Sequence, residues 1–109
     1  MPANLPPPVQ NYFSGKNARD FTVAVSGFSQ SAVVKDESRD HVGPAAIRAW
    51  LEETAAQYDD HADARSAASS QSGIEVIAEV SGTFPGSPIP LRFNFTIKDD
   101  QIVRLEIEP

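Results

Sequence analysis

Cysteine is absent from this chain of 109 residues. Disulfides, thiolate metal sites and a thiol nucleophile are therefore excluded. Basic residues are scarce: nine Lys and Arg stand against fifteen Asp and Glu, a formal net charge of −6. That sign argues against a nucleic-acid backbone as partner and reads most simply as solubility. Histidine occurs only twice. Asp59, His61 and Asp63 alternate, but a single nitrogen ligand with no second histidine nearby makes a poor metal site. Neither a metal nor a cofactor is expected. No apolar run approaches the roughly 20 residues of a membrane span. The opening Met-Pro-Ala-Asn-Leu-Pro-Pro-Pro lacks the basic-then-apolar order of a signal peptide. A cytoplasmic protein without membrane contact is the expectation. No glycine-rich loop follows a strand and no Gly-x-Ser-x-Gly elbow occurs, so nucleotide use and a serine triad have no support.

What is present fits one domain over residues 1–109, with residues 1–6 as an extended, proline-stiffened tail. Pro6 to Pro8 can open a helix, because the first turn tolerates proline. Val9, Tyr12 and Phe13 then form one apolar stripe, and Ser14-Gly15-Lys16 is expected to break it. Asn17 is a plausible N-cap for a second helix whose buried face runs Phe21, Ala24, Val25, Phe28. Ala32 to Lys35 reads as a strand and Glu37 to Asp40 as a turn. Gly43-Pro44 starts a third helix with Ile47, Trp50, Leu51, Thr54 and Tyr58 inward.

The second half reads as sheet. Residues 59–72 form a turn and then a poor, Ala/Ser-rich strand. Ile74, Val76, Ala78 and Val80 alternate with polar neighbours, as do Ile89, Leu91, Phe93, Phe95 and Ile97. Val103, Leu105 and Ile107 share a face in the last strand, with Ile102 on the polar side. Helices followed by a run of antiparallel strands indicate an α+β fold. A curved sheet wrapped around three helices leaves a cone whose mouth is a natural ligand site.

The order of these segments resembles the nuclear transport factor 2-like superfamily, and within it the SnoaL-like proteins. The resemblance rests on Phe28-Ser-Gln-Ser-Ala-Val-Val-Lys-Asp36, on His41-Val-Gly-Pro-Ala-Ala-Ile-Arg-Ala-Trp50, on Val80 through Phe95, and on Ile102-Val-Arg-Leu-Glu-Ile107. It implies a cystatin-like cone, with three N-terminal helices on a mostly antiparallel sheet. The superfamily holds isomerases, cyclases, dehydratases and proteins with no known reaction, so the likeness selects a fold and not a reaction. Ketosteroid isomerases within it carry a tyrosine on the first helix and a general-base aspartate at the end of the first strand. Tyr12 and Asp36 resemble those two positions. The second, protonated aspartate of that branch aligns with Phe93, which leaves half of the oxyanion hole missing.

Asp36 is the first candidate for chemistry. A carboxylate in an apolar cone loses hydration, which raises its pKa and suits proton transfer near neutrality. Tyr12 could donate to a developing enolate oxygen, and His41, across the turn, could assist Asp36. Their plain alternatives are a solvated acid, a core tyrosine and a surface histidine. Phe28, Trp50, Phe93 and Phe95 are core residues that also line the expected pocket. Arg39 and Arg92 could meet an anionic group, though solvated arginine is the simpler reading. Two functions follow. One is a module that binds a small apolar ligand in the cone without chemistry. The other is a cofactor-free isomerase or cyclase, with Asp36 as base and Tyr12 as donor. The mixed outer face of the sheet, with Arg92, Asn94, Thr96, Ile77 and Ile102, suits a symmetric homodimer.

Overall fold

A computed structural model describes residues 5–109, so most of the expected tail lies outside the described residues. Three helices are present: α1 (Pro7–Ala18), α2 (Phe21–Val25) and α3 (Pro44–Tyr58). Six strands complete the fold: β1 (Phe28–Asp36), β2 (Arg39–Val42), β3 (His61–Ser69), β4 (Gly73–Ser81), β5 (Ile89–Lys98) and β6 (Gln101–Glu108). They form one sheet in the order β2-β1-β6-β5-β4-β3. Only β1 and β6 run parallel. The fold is α+β, a curved and mostly antiparallel sheet closed around helices, as the pattern of segments indicated.

The inner face of the sheet follows the alternation in the sequence. Ile74, Val76, Ala78 and Val80 of β4 are buried, as are Phe93 and Phe95 of β5. Against them pack Val9, Tyr12 and Phe13 of α1 and Ile47, Trp50 and Leu51 of α3. Tyr12 sits among aromatic rings, with the Phe13, Phe28, Phe93 and Phe95 centroids 5.1, 5.9, 6.3 and 5.6 Å away. Edge-on contacts of this kind add to area burial.

Several local expectations are corrected. Helix α1 does not break at Ser14-Gly15-Lys16 but continues to Ala18. Gly15 is there for packing: a Cβ would lie 2.4 Å from the Ala24 backbone nitrogen. Asn17 caps nothing; Asp20 is the N-cap of α2, its carboxylate accepting from the Val23 N–H. Helix α2 ends at Val25, and Phe28 opens β1 instead of closing a helical stripe. The turn read over Glu37 to Asp40 is shorter, because Arg39–Val42 pairs with β1. Its two central residues, Glu37 and Ser38, have φ of 52° and 64°, the left-handed pair that suits a two-residue hairpin. Ile102 faces inward and is fully buried. The β5–β6 register slips between Thr96 and Ile97, so an extra residue in β6 turns Ile102 to the side of Leu105.

Candidate functional site

Side-chain alternation places the acid. Ala32 and Val34 are buried on the inner face of β1, and Asp36, two residues further, continues that face. In the hairpin Val34 lies opposite His41 and Asp36 opposite Arg39. Cross-strand partners share a face, so the hairpin carries Asp36, Arg39 and His41 inward together. All three border a cavity of about 400 Å³. Helix α1 adds Tyr12 and Lys16, and α3 adds Trp50, Leu51 and Thr54. The sheet contributes an apolar wall of Val80, Ile89, Leu91, Phe93 and Ile107, and Phe84 of the β4–β5 connection stands at its side.

Asp36 accepts a hydrogen bond from the Trp50 Nε1–H at 3.3 Å. The Trp50 ring in turn stacks on His41, with centroids 5.4 Å apart and planes 24° from parallel. Burial pushes the Asp36 carboxyl above the usual carboxylate range, and the Glu37 charge adds to this. The Trp50 hydrogen bond and the His41 charge oppose the rise. The proton is thus held more tightly than in water, the direction a general base near neutrality requires.

Tyr12 borders the same cavity but exposes none of its surface. Its hydroxyl has no hydrogen-bond partner among the described residues. Burial, with the Asp60 and Asp36 charges behind it, raises the phenol pKa well above its ordinary value, so the group stays a donor. Phe93 stands beside it and offers no polar atom.

The other expected lining residues divide. Trp50 and Phe93 reach the cavity wall, whereas Phe28 and Phe95 lie in the core behind Tyr12. Arg39 borders the cavity, and Arg92 is exposed on the opposite face of the sheet. Asp59 ends α3 in a left-handed conformation, and Asp63 pairs with Arg65 on the surface. Among the described residues no group of three or more potential metal ligands stands together.

Sequence reasoning missed a buried ion pair. Lys16 is 5 % exposed, and its ammonium donates to Asp60 Oδ2 at 2.8 Å. Both residues border the cavity. The available signal was helical spacing: Lys16 follows Tyr12 by four residues and so shares its face. Neighbouring contacts hold the pair in place. The Arg19 guanidinium donates to the Asp60 carbonyl at 2.7 Å and to Asp59 Oδ1 at 2.9 Å. The Asn17 amide exchanges two hydrogen bonds with the Ala62 backbone, at 2.8 and 2.9 Å. The end of α1 is thereby bound to the start of β3.

A helix-filled, curved sheet with an acid-bearing cavity defines a nuclear transport factor 2-like cone. Within that class the chain belongs to the SnoaL-like domain family, whose model matches residues 9–105. A candidate polyketide cyclase from Sinorhizobium meliloti is 38% identical, with 95% of each chain covered and a TM-score of 0.92. A protein from Catenulispora acidiphila with a ketosteroid isomerase-like fold, solved with trimethylamine, is 15% identical. Its TM-score is 0.84, over 97% of this chain and 87% of that one. A candidate polyketide cyclase from Xanthomonas campestris pv. campestris is 18% identical, over 92% and 85%, with a TM-score of 0.73. These last two share the fold. No curated protein matches the chain.

Proposed function

We propose that the cavity binds a small, largely apolar carbonyl compound and that Asp36 transfers a proton on it without a cofactor, in the manner of an isomerase or cyclase. The supporting observation is that the raised Asp36 carboxyl and the unpartnered Tyr12 hydroxyl border one cavity. In this reaction Asp36 takes a proton from the carbon beside the carbonyl; the C–H electron pair forms a C=C bond, and the C=O π pair moves onto the carbonyl oxygen. A conjugated enolate then regains the proton from Asp36 at a carbon further along the chain; alternatively the enolate carbon attacks an internal carbonyl, whose π pair moves onto its oxygen and takes the Asp36 proton as the ring closes. Trp50 orients the carboxylate, and His41 stacked on Trp50 steadies that contact. The likeness to candidate polyketide cyclases supports the ring-closing form.

The test is deuterium uptake next to the carbonyl of small cyclic ketones, followed by NMR. Asp36→Asn lowers the rate by about 10²- to 10⁴-fold, the usual contribution of a general base. The active form is the carboxylate, so the rate rises with pH. Because Asp36 is shifted upward, the midpoint lies above the ordinary carboxylate range. An unchanged rate in Asp36→Asn removes the assignment.

The second reading is binding without chemistry. It is favoured by the closed surface of Tyr12 and by Phe93, which brings no donor to its side. Ligand retention with no exchange above background would select it. The proposal also includes a homodimer formed through the outer face of the sheet and a cytoplasmic location. For the location, no helix among the described residues is long and apolar enough to cross a membrane; fractionation of cells tests it.

A further inference from the structure

Lys16 has no assigned part in the reaction above, yet it is the cation that the fold places deepest beside the cavity. An ammonium carries three donors. One goes to Asp60 Oδ2 at 2.8 Å, and among the described residues no other Lys16 side-chain hydrogen bond forms. Two donors therefore remain on a side chain that is 5 % exposed and borders the cavity. One helical turn away the Tyr12 hydroxyl also lacks a partner among the described residues. Buried donors are normally satisfied, and two under-used groups on one helix face, against one cavity, ask for a common acceptor. Water-excluded donors aimed at a forming charge are the strongest electrostatic device a site can hold.

We propose that Lys16, with Tyr12, forms the oxyanion-binding end of the cavity, so that the ligand's carbonyl oxygen is held there and its acidic C–H faces Asp36. This rests on the proton-transfer reading for its place in a reaction, but the binding event can be measured separately. Asp60 has a positioning part. It accepts a hydrogen bond from the buried ammonium at 2.8 Å and fixes its direction, and Arg19 fixes Asp60 in turn. Because Asp60 cancels much of the Lys16 charge, the pair acts as a directed dipole.

The probe is 4-nitrophenol, whose phenolate imitates an enolate oxygen and whose colour reports its ionisation. A cation next to a phenolate favours the charged form. With the unmodified chain, the bound probe ionises about 1 pH unit lower than in free solution. Lys16→Arg keeps at least half of that shift. Lys16→Met strands the Asp60 carboxylate and could unfold the chain, so the decisive variant is Lys16→Met combined with Asp60→Asn. That pair removes both charges together, and its fold is checked by circular dichroism. The double variant loses the shift and binds phenolate at least tenfold more weakly. No shift with the unmodified chain, or a shift that survives in the double variant, overturns the proposal. Deuterium exchange that depends on Asp36 without any probe shift would sink the Lys16 assignment and leave the proton-transfer reading standing.

Discussion

The Tyr12 hydroxyl is buried and unpartnered in a ring environment that is otherwise well packed. A buried donor left without a partner costs about 1–3 kcal/mol. A natural core has no reason to keep that cost when phenylalanine would fill the same space, unless the hydroxyl serves a bound state. Tyr12→Phe should therefore stabilise the ligand-free protein by about 1 kcal/mol, measured by urea unfolding. The same change should weaken phenolate binding. A variant that loses stability would mean that the hydroxyl has a partner, such as an ordered water, and so is a structural group. The contrast with Asp36 is instructive. Its carboxyl already has the Trp50 N–H at 3.3 Å, and the sequence singled it out as the acid at the end of a Val-rich strand, in a place like that of the isomerase base. Lys16 was not legible in that way. A charged side chain near a helix end reads as solvated, and only the approach of Asp60, 44 residues later, makes it a buried group.

Elements with one clear face could be read directly. The inward stripe of α3 and the alternation of β4 and β5 both follow from their periods, and all three line or back the cavity. The elements that misled were governed by contacts distant in sequence or by backbone geometry. Gly15 looks like a helix breaker, but its missing side chain is what lets α2 cross α1. Strand β2 is four residues long and polar, and its hairpin uses Glu37 and Ser38 at positive φ without the Asn-Gly signal that usually marks such turns. Ile102 was assigned to the wrong face because an extra residue in a strand is invisible to a two-residue period. Asn17 shows the same lesson at a junction. It joins α1 to β3 through both the N–H and the C=O of Ala62, which is buried. Asn17→Ala leaves those two groups without side-chain partners. The expected loss is about 2 kcal/mol in urea unfolding. Amide exchange should show the start of β3, and with it the Lys16–Asp60 pair, opening before the rest of the sheet. A loss spread evenly over all strands would mean that this junction is not a separate unit of stability.

At the scale of the whole molecule, the two faces of the sheet have different work. The inner face encloses the cavity. The outer face is left with Glu75, Ile77 and Glu79 of β4 and Asn94 and Thr96 of β5. Its charges are partly neutralised within the chain. Arg65 meets Asp63 and Glu79, Asn94 donates to Glu108, and Arg104 to Glu106. The Arg104 hydrogen bond lowers the Glu106 pKa, so that carboxylate stays charged at neutrality. A polar, internally paired surface suits a modest symmetric contact better than an obligate one. Light scattering should therefore give twice the 11.8 kDa chain mass at high concentration, and the dimer should dissociate on dilution. Two chains of net charge −6 repel, and salt screens that repulsion, so the dimer fraction should rise with ionic strength. Thr96→Asp places a further negative charge on this face and repeats it across a two-fold axis, which should shift the equilibrium to monomer. Since the cavity lies on the inner face of the sheet and Thr96 on the outer, the monomeric variant should keep its ligand affinity and exchange rate. An unmodified chain that stays at 11.8 kDa at every concentration removes the dimer. A Thr96→Asp dimer of unchanged affinity would move the contact to another surface.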